Sequence, residues 1–341
     1  MNYFKKFKWG IIGYGNIGKN FHKVIQRKKN NSLLGISSKT NKSLSFKNVS
    51  NYQNEIALLG NSNRNSIYIS NLNTQHYSSA INSINFKKNL IIEKPSFINE
   101  KEVNTFVASL KESNLFAMEG YMNLYHPQMN IVKNLILEKE IGDLLKIDLN
   151  IGFNIKKKFL FFKYHKFKKS HRLLDKEKGG GAILDIGCYT IVTARNIVNN
   201  IFNESIDFKL EKIQGKIGIT EVDESASARV SFKNNIYAYL KCSIVENLSN
   251  NISIIGSKGK IIIPEPWTPS ANPSIILDNK NGKKIIKVAS QESSYWYELD
   301  FFNNVLNEYD EVKKNKIKKK FLDNFLVNTS SIINWLKGIK S

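Results

Sequence analysis

Cysteine is nearly missing from this chain: Cys188 and Cys242 are the only two, too few for a disulfide scaffold and without metal-ligand spacing. No apolar run approaches the ~18–20 residues that a bilayer-spanning helix needs, which argues against a membrane protein of that kind. The opening MNYFKKFKWGIIG runs straight into a strand-like stretch, with no separate h-region and cleavage site. A reducing cytoplasmic location is therefore expected. Proline is scarce, at six residues, and no segment is long or polar enough to read as a disordered linker. Acidic residues are also short: 29 Asp and Glu stand against 51 Lys and Arg, a formal charge of +22. Such an excess fits attraction to nucleic acid, an anionic membrane or a phosphorylated substrate. It also fits a plain lysine-rich bias spread over the whole surface, and lysines do occur in nearly every segment. One cluster is denser: KKKFLFFKYHKFKKSHR (156–172) interleaves basic and aromatic residues, a composition able to grip phosphates and stack on a planar group.

What is present suits a globular protein. Hydrophobic residues make up 41% and charged residues 23% of 341 positions, enough for sizeable cores and room for two domains. Near the start, Trp9–Ile12 form a short apolar strand, followed by Gly13, Gly15 and Gly18 as G-x-G-x-x-G. Ile17, Phe21, Val24 and Ile25 then recur at helical spacing. In that context the first glycine permits a tight turn, the second lets backbone approach a pyrophosphate, and the third allows close helix–strand packing. Gly13, Tyr14, Gly15, Asn16, Ile17 and Gly18 are thus candidate dinucleotide contacts. The next strand, SLLGISSKT, ends in Ser37, Ser38 and Lys39 where an NAD-specific protein would place an acid on the ribose. Hydroxyls and a lysine suit a 2′-phosphate, so NADP is expected in preference to NAD. Further strands end in SNLNTQH and IIEKPSF. Asn71, Asn73 and His76 become candidates to line the cofactor, His76 being equally placed to start a helix. Glu93 and Lys94 are candidates at the second edge, with Pro95 a candidate cis proline.

The second half reads differently. HPQMNIVKNLILEKEIG carries a helix through Val132, Leu135 and Ile136, closed by Gly142. Ala226, Ala228, Val230 and Phe232 alternate with polar residues, and a KNN turn leads into a second alternating run from Ile236 to Ile244. NISIIGSKGKIII is another hairpin, turning through Gly256–Gly259. Long antiparallel strands imply a sheet with one buried face. KGGGAILDIGCYTIVTARNI places Asp185 and Tyr189 four apart, on one side of a helical turn, and an aspartate in such apolar surroundings needs a partner. Asp185 as a mere N-cap, with Tyr189 packed behind it, is the other reading.

In order along the chain, GIIGYGNIGKN, YISNLNTQHY, IIEKPSF, MEGYMNLYHPQ and GGGAILDIGCYTI resemble the Gfo/Idh/MocA oxidoreductases, closest to the glucose–fructose oxidoreductase and dihydrodiol dehydrogenase branch. The resemblance implies an α/β protein: an N-terminal Rossmann doubly wound parallel sheet (1–121), then an α+β substrate and oligomerisation domain (122–341) with a large, mostly antiparallel open sheet. It implies hydride transfer between NADP or NAD and a hydroxyl or carbonyl of a sugar, nucleotide sugar or cyclitol. A dihydrodiol or aldehyde dehydrogenase, or a cofactor-binding regulator without turnover, are the alternatives. By the same resemblance Lys94 would hydrogen-bond the substrate hydroxyl and Tyr189 would be the general acid/base. Asp185 would orient the substrate or the lysine, and His126 would lie near substrate. An unperturbed phenol titrates near ~10, so Tyr189 would need a cation beside it to work at neutral pH. Arg172, Lys178 and His165 could meet an anionic substrate. A homodimer or homotetramer is expected; a metal, a membrane and nucleic acid are not.

Overall fold

The computed structural model describes residues 6–39, 46–61, 63–159, 162–165 and 167–340, with 157–159, 162–165 and 340 described by backbone alone. The chain divides into two compact units: Met1–Met122 with Tyr295–Ser330, and Asn123–Ser294 with Ser331–Ser341.

The first unit is built on six parallel strands, β1 (Phe7–Ile12), β2 (Asn31–Ser37), β3 (Ser50–Tyr52), β4 (Ser66–Ile69), β5 (Asn89–Glu93) and β6 (Ala117–Gly120). Their order is β3-β2-β1-β4-β5-β6, so the winding reverses between β1 and β4. β4 and β6 are buried at every position, as expected of parallel strands covered on both faces. Helices α1 (Asn16–Arg27), α2 (Glu55–Leu59), α3 (His76–Asn85) and α4 (Glu100–Glu112) alternate with them. Phe21, Val24 and Ile25 bury the apolar stripe of α1. Ile17 departs from the expected stripe: it lies in the first turn and is 39% exposed, while Gly18 and His22 are buried instead.

In the second unit, α5 (Pro127–Leu137) ends at Leu137, short of the expected stop at Gly142. β7 (Leu144–Gly152) follows, then a small hairpin of β8 (Lys156–Phe159) and β9 (Phe162–His165), then α6 (Cys188–Phe202). The strands β10 (Phe208–Ile217), β11 (Asp223–Phe232), β12 (Tyr237–Ser243), β13 (Ile252–Gly256), β14 (Gly259–Ile263), β15 (Ser274–Asn279) and β16 (Gly282–Lys287) complete an eight-stranded sheet with β7. Its order is β10-β11-β12-β7-β13-β14-β15-β16, antiparallel except between β12 and β7. Burial alternates along β11, with Ala226, Ala228, Val230 and Phe232 inward, and α6 packs on β7 and β12. The KNN turn works because Asn234 and Asn235 both take positive φ, 60° and 56°.

The chain then returns to the first unit through α7 (Ser294–Asn307) and most of α8 (Glu311–Lys340). Aromatic packing explains this. Phe302 lies 5.1 Å from Trp9 and 5.4 Å from Phe116, and Phe325 lies 5.0 Å from Phe106. Assigning all of 122–341 to a second domain therefore misallots 295–330, which bury their rings in the first unit's core.

Candidate active site

The loop after β1 explains its glycines one by one. Gly13 has φ +87°, and a Cβ there would lie 2.5 Å from the backbone nitrogen of Asn71 and 2.6 Å from the carbonyl of Ser70. Glycine is thus what lets the ends of β1 and β4 touch, at the point where the winding reverses. The Gly13 N–H donates to the Ser37 carbonyl (2.9 Å), and Ser70 Oγ donates to the Gly13 carbonyl (2.8 Å), tying three strand ends together. A Cβ on Gly18 would sit 2.5 Å from the Gly13 carbonyl, so the first turn of α1 presses against the loop. Gly15 is the opposite case: among the described residues nothing lies within 4 Å of its would-be Cβ, and as the N-cap it has no side chain to cap α1. Open space therefore adjoins a helix N-terminus whose first N–H groups lack intrahelical partners, which fits a pyrophosphate. The backbone of Gly13–Gly18 would hold that group, with the exposed Ile17 on the same turn. Tyr14 turns away: its buried ring places Oη 2.5 Å from His22 Nδ1 and lies edge-on to Phe46. At the end of β2, Ser37 is buried, Ser38 half-buried and Lys39 exposed.

The next two strand ends are tied to each other. Asn73 opens a short 3-10 turn, and Asn71 Nδ2 donates to Ser79 Oγ (2.9 Å). His76 starts α3 and is fully buried, with Nδ1 3.0 Å from the Pro95 carbonyl and Nε2 3.3 Å from the Asn71 carbonyl. Burial pushes its pKa down to about 4, so the ring is neutral at pH 7 and fastens the loop after β4 to the loop after β5. Its side chain serves the fold. β5 ends at Glu93, and the Lys94–Pro95 peptide is cis. Glu93 is buried; it accepts from Tyr68 Oη and from the Lys94 N–H (3.3 Å). Burial raises its pKa, opposed by the Tyr68 bond and the Lys94 charge. Ser96 Oγ donates to Glu119 Oε1 (2.7 Å) and Asn328 Nδ2 to Glu119 Oε2 (2.6 Å). A half-buried lysine thus emerges from a segment clamped between two buried glutamates.

In the second unit, Gly181 has φ +113°, and its would-be Cβ would lie 2.1 Å from Asp223 Oδ1. Asp223 Oδ2 accepts the Ile183 N–H at 2.7 Å and so caps a π-helical turn, Ile183–Gly187, that leads into α6. Asp185 sits in that turn, about one turn before Tyr189, and π turns of this kind occur often at functional sites. The partner that a buried Asp185 requires is Arg172, whose Nη1 donates to Oδ1 at 2.8 Å. Tyr189 is half-buried, with its ring 6.2 Å from that of Trp267. Lys178 donates to the Ser170 carbonyl (2.7 Å) and pairs with Asp175 (2.7 Å), so it braces its own loop. The His165 side chain lies outside the described residues. His126 is buried: Nδ1 accepts the Gln128 N–H (3.3 Å) as the cap of α5, and Nε2 lies 2.8 Å from Ser290 Oγ. Burial lowers its pKa to about 4. Both nitrogens are engaged within the unit, a structural placement rather than a substrate-facing one.

Two supporting residues escape a motif search. Asp223 lies at a strand start, and nothing local says that its carboxylate caps a turn forty residues earlier. Glu298 left a faint signal: in SYWYELDFF it falls at helical spacing with Tyr295 and Phe302, on a face that is otherwise aromatic.

Residues 7–121 match the family model described as an oxidoreductase family with an NAD-binding Rossmann fold, and residues 129–262 match the GFO/IDH/MocA C-terminal domain. The trans-1,2-dihydrobenzene-1,2-diol dehydrogenase of Xenopus tropicalis is 31% identical over 218 residues, 64% of this chain but 60% of that protein's length. Among solved structures, the 3-ketoreductase KijD10 of Actinomadura kijaniata, with NADP and TDP-benzene, superposes with a TM-score of 0.80 at 17% identity, covering 96% of each chain. The aldose-aldose oxidoreductase of Caulobacter crescentus, with glycerol, gives 0.81 at 15% identity and 98% coverage of each.

Proposed function

The chain belongs to the Gfo/Idh/MocA oxidoreductase family, and from that premise we propose that it moves a hydride between a nicotinamide dinucleotide and a hydroxyl or carbonyl carbon of a small carbohydrate-like molecule. The observation that carries this reading is the space at Gly15, open among the described residues, at the N-terminus of α1 where the cap residue is a glycine. The bound dinucleotide supplies or accepts the hydride. The protein has to bind the substrate oxygen and manage its proton. Lys94 is assigned the hydrogen bond to that oxygen. Tyr189 is assigned the proton, given up as the carbonyl is reduced and taken back as the alcohol is oxidised. Asp185, held by Arg172, orients the group that Tyr189 meets. Ser37, Ser38 and Lys39 support NADP over NAD, since no carboxylate there repels a 2′-phosphate. The named activity of the frog relative supports a vicinal diol as an alternative substrate to a sugar, nucleotide sugar or cyclitol. Family resemblance further supports a homodimer or homotetramer, which light scattering reads directly.

The test is reduction of NADP+ by purified protein across sugars, phosphosugars, nucleotide sugars, cyclitols and trans-dihydrodiols. Turnover on at least one class, with a lower Michaelis constant for NADPH than for NADH, is the expected result. Tight NADPH binding with no turnover on any class would favour a regulator instead.

A further inference from the structure

Behind Lys94, the core of the first unit carries more acid than its hydrogen bonds satisfy. Glu298, on α7, is fully buried, and neither carboxyl oxygen meets a hydrogen-bond partner among the described residues. The titratable groups that face it are Glu93 from β5, Tyr68 from β4 and Tyr295 one turn earlier on its own helix. Phe21 of α1 encloses the group, stacked on Tyr68 at 3.7 Å and edge-on to Tyr295 at 6.5 Å. Gly120 of β6 closes it beside Glu93: a Cβ there would lie 3.3 Å from Glu93 Oε1. Among the described residues, the charge of Lys94 acts on this cluster through Glu93.

The two carboxyls are not equivalent. Glu93 receives the Tyr68 hydroxyl, the Lys94 N–H and the attraction of the lysine charge. Glu298 has none of these. A buried carboxylate without a protein partner, facing a second carboxylate, is far costlier than the neutral acid. We propose that Glu298 is carried as a neutral carboxylic acid, so that Glu93 and Glu298 together present a single negative charge beside Lys94, making Glu298 a positioning residue for that lysine. The protonation half stands on the cluster alone; the link to turnover rests on the role assigned to Lys94 above. In the same direction, burial and then the charge of Glu93 hold the Glu298 carboxyl well above the ordinary carboxylate range.

The sign of the pH dependence follows. With its folded value raised, the neutral acid favours the native state least reservedly below the ordinary glutamate range, and that contribution is lost as pH rises toward the folded value. Glu298→Gln, an isostere of the neutral acid, escapes the loss. The ratio of folding equilibrium constants, variant over wild type, should rise by up to about tenfold per pH unit above pH ~4.5, because one proton is linked to folding. Chemical denaturation at pH 5.5, 7 and 8.5 measures it. A ratio that is flat or falls with pH overturns the proposal. Should Glu298→Gln not fold, infrared spectra of the unaltered protein at pH 7.5 serve instead. A carboxylic-acid carbonyl band that persists in Glu93→Gln supports the proposal, and absence of the band from the unaltered protein overturns it. For the link to turnover, the ratio of Glu298→Gln to wild-type rates should climb on the alkaline side, where the wild type acquires its second charge; a ratio independent of pH overturns that link. Complete absence of turnover would instead strike the hydride-transfer reading, and leaves the denaturation and infrared results to be read on their own.

Discussion

Gly13 and Gly15 sit two residues apart in one loop, yet alanine at each should fail in a different way. At Gly13 the positive φ costs ~1–3 kcal/mol by itself, and the added carbon collides with the backbone of Ser70 and Asn71. Gly13→Ala should therefore lower the thermal midpoint sharply. At Gly15 the backbone is ordinary for any residue and the space is open, so Gly15→Ala should change stability by under ~0.5 kcal/mol. It should nevertheless weaken NADPH binding tenfold or more, because the carbon fills the volume that a pyrophosphate would take. Fluorescence titration alongside thermal melts separates the two, and unchanged affinity in Gly15→Ala would remove the main support for the dinucleotide reading. Lys94 and Tyr189 make the complementary pair. Lys94→Ala and Tyr189→Phe should each cut turnover by ~10²–10⁴, the range of a general acid/base contribution, while leaving cofactor affinity within a few-fold. Near-wild-type rates in both would refute the assignment.

Among the elements, the π turn before α6 depends on a strand distant in sequence. Asp223 on β11 accepts the Ile183 N–H and abuts Gly181, so the sheet helps to fix the turn that carries Asp185. Asp223→Ala leaves a buried N–H without its acceptor and should cost ~1–3 kcal/mol. Turnover should fall further than stability explains, with NADPH affinity unchanged, because the glycine loop belongs to the other unit. Asn at 223 keeps an acceptor and should recover part of the rate. An equal loss in both variants would deny the positioning role. The contrast shows what the sequence makes legible. Strands β1, β4 and β5 announce themselves by apolar runs that stop at glycine, serine or glutamate, β11 and β12 by alternation, and β13 and β14 by the glycines of their turn. Those signals are local, because covered strands and half-buried strands impose different periods on their own residues. The Asp223 cap, the His76 tether and the burial of Glu298 depend on contacts between distant segments, which leave no period. The return of α7 and α8 to the first unit is of the same kind: it is written in aromatic residues whose partners, such as Trp9, Phe106 and Phe116, lie far earlier in the chain.

At the scale of the whole molecule, buried histidines set how the protein meets acid. His76 in the first unit and His126 in the second are both held neutral by burial, with pKa values lowered from 6.5 to about 4. Between those values the unfolded chain binds protons that the folded chain refuses, so stability rises with pH across that window and is lost as pH falls through it. Each histidine can account for a few kcal/mol, at about 1.4 kcal/mol per tenfold change in proton affinity. The raised carboxyls of Glu93 and Glu298 work the other way, since protonating them costs the native state nothing. The two units should thus differ in acid: the second has His126 without that compensation from a buried glutamate pair, and the first has both. His126→Asn keeps a good helix cap for α5 while removing the titration. Unfolding midpoints measured at pH 7 and pH 4.5 should show a smaller acid loss in this variant than in the wild type. If unfolding resolves into two transitions, only the one belonging to the second unit should move. An unchanged pH slope would mean that His126 is not held neutral by its burial.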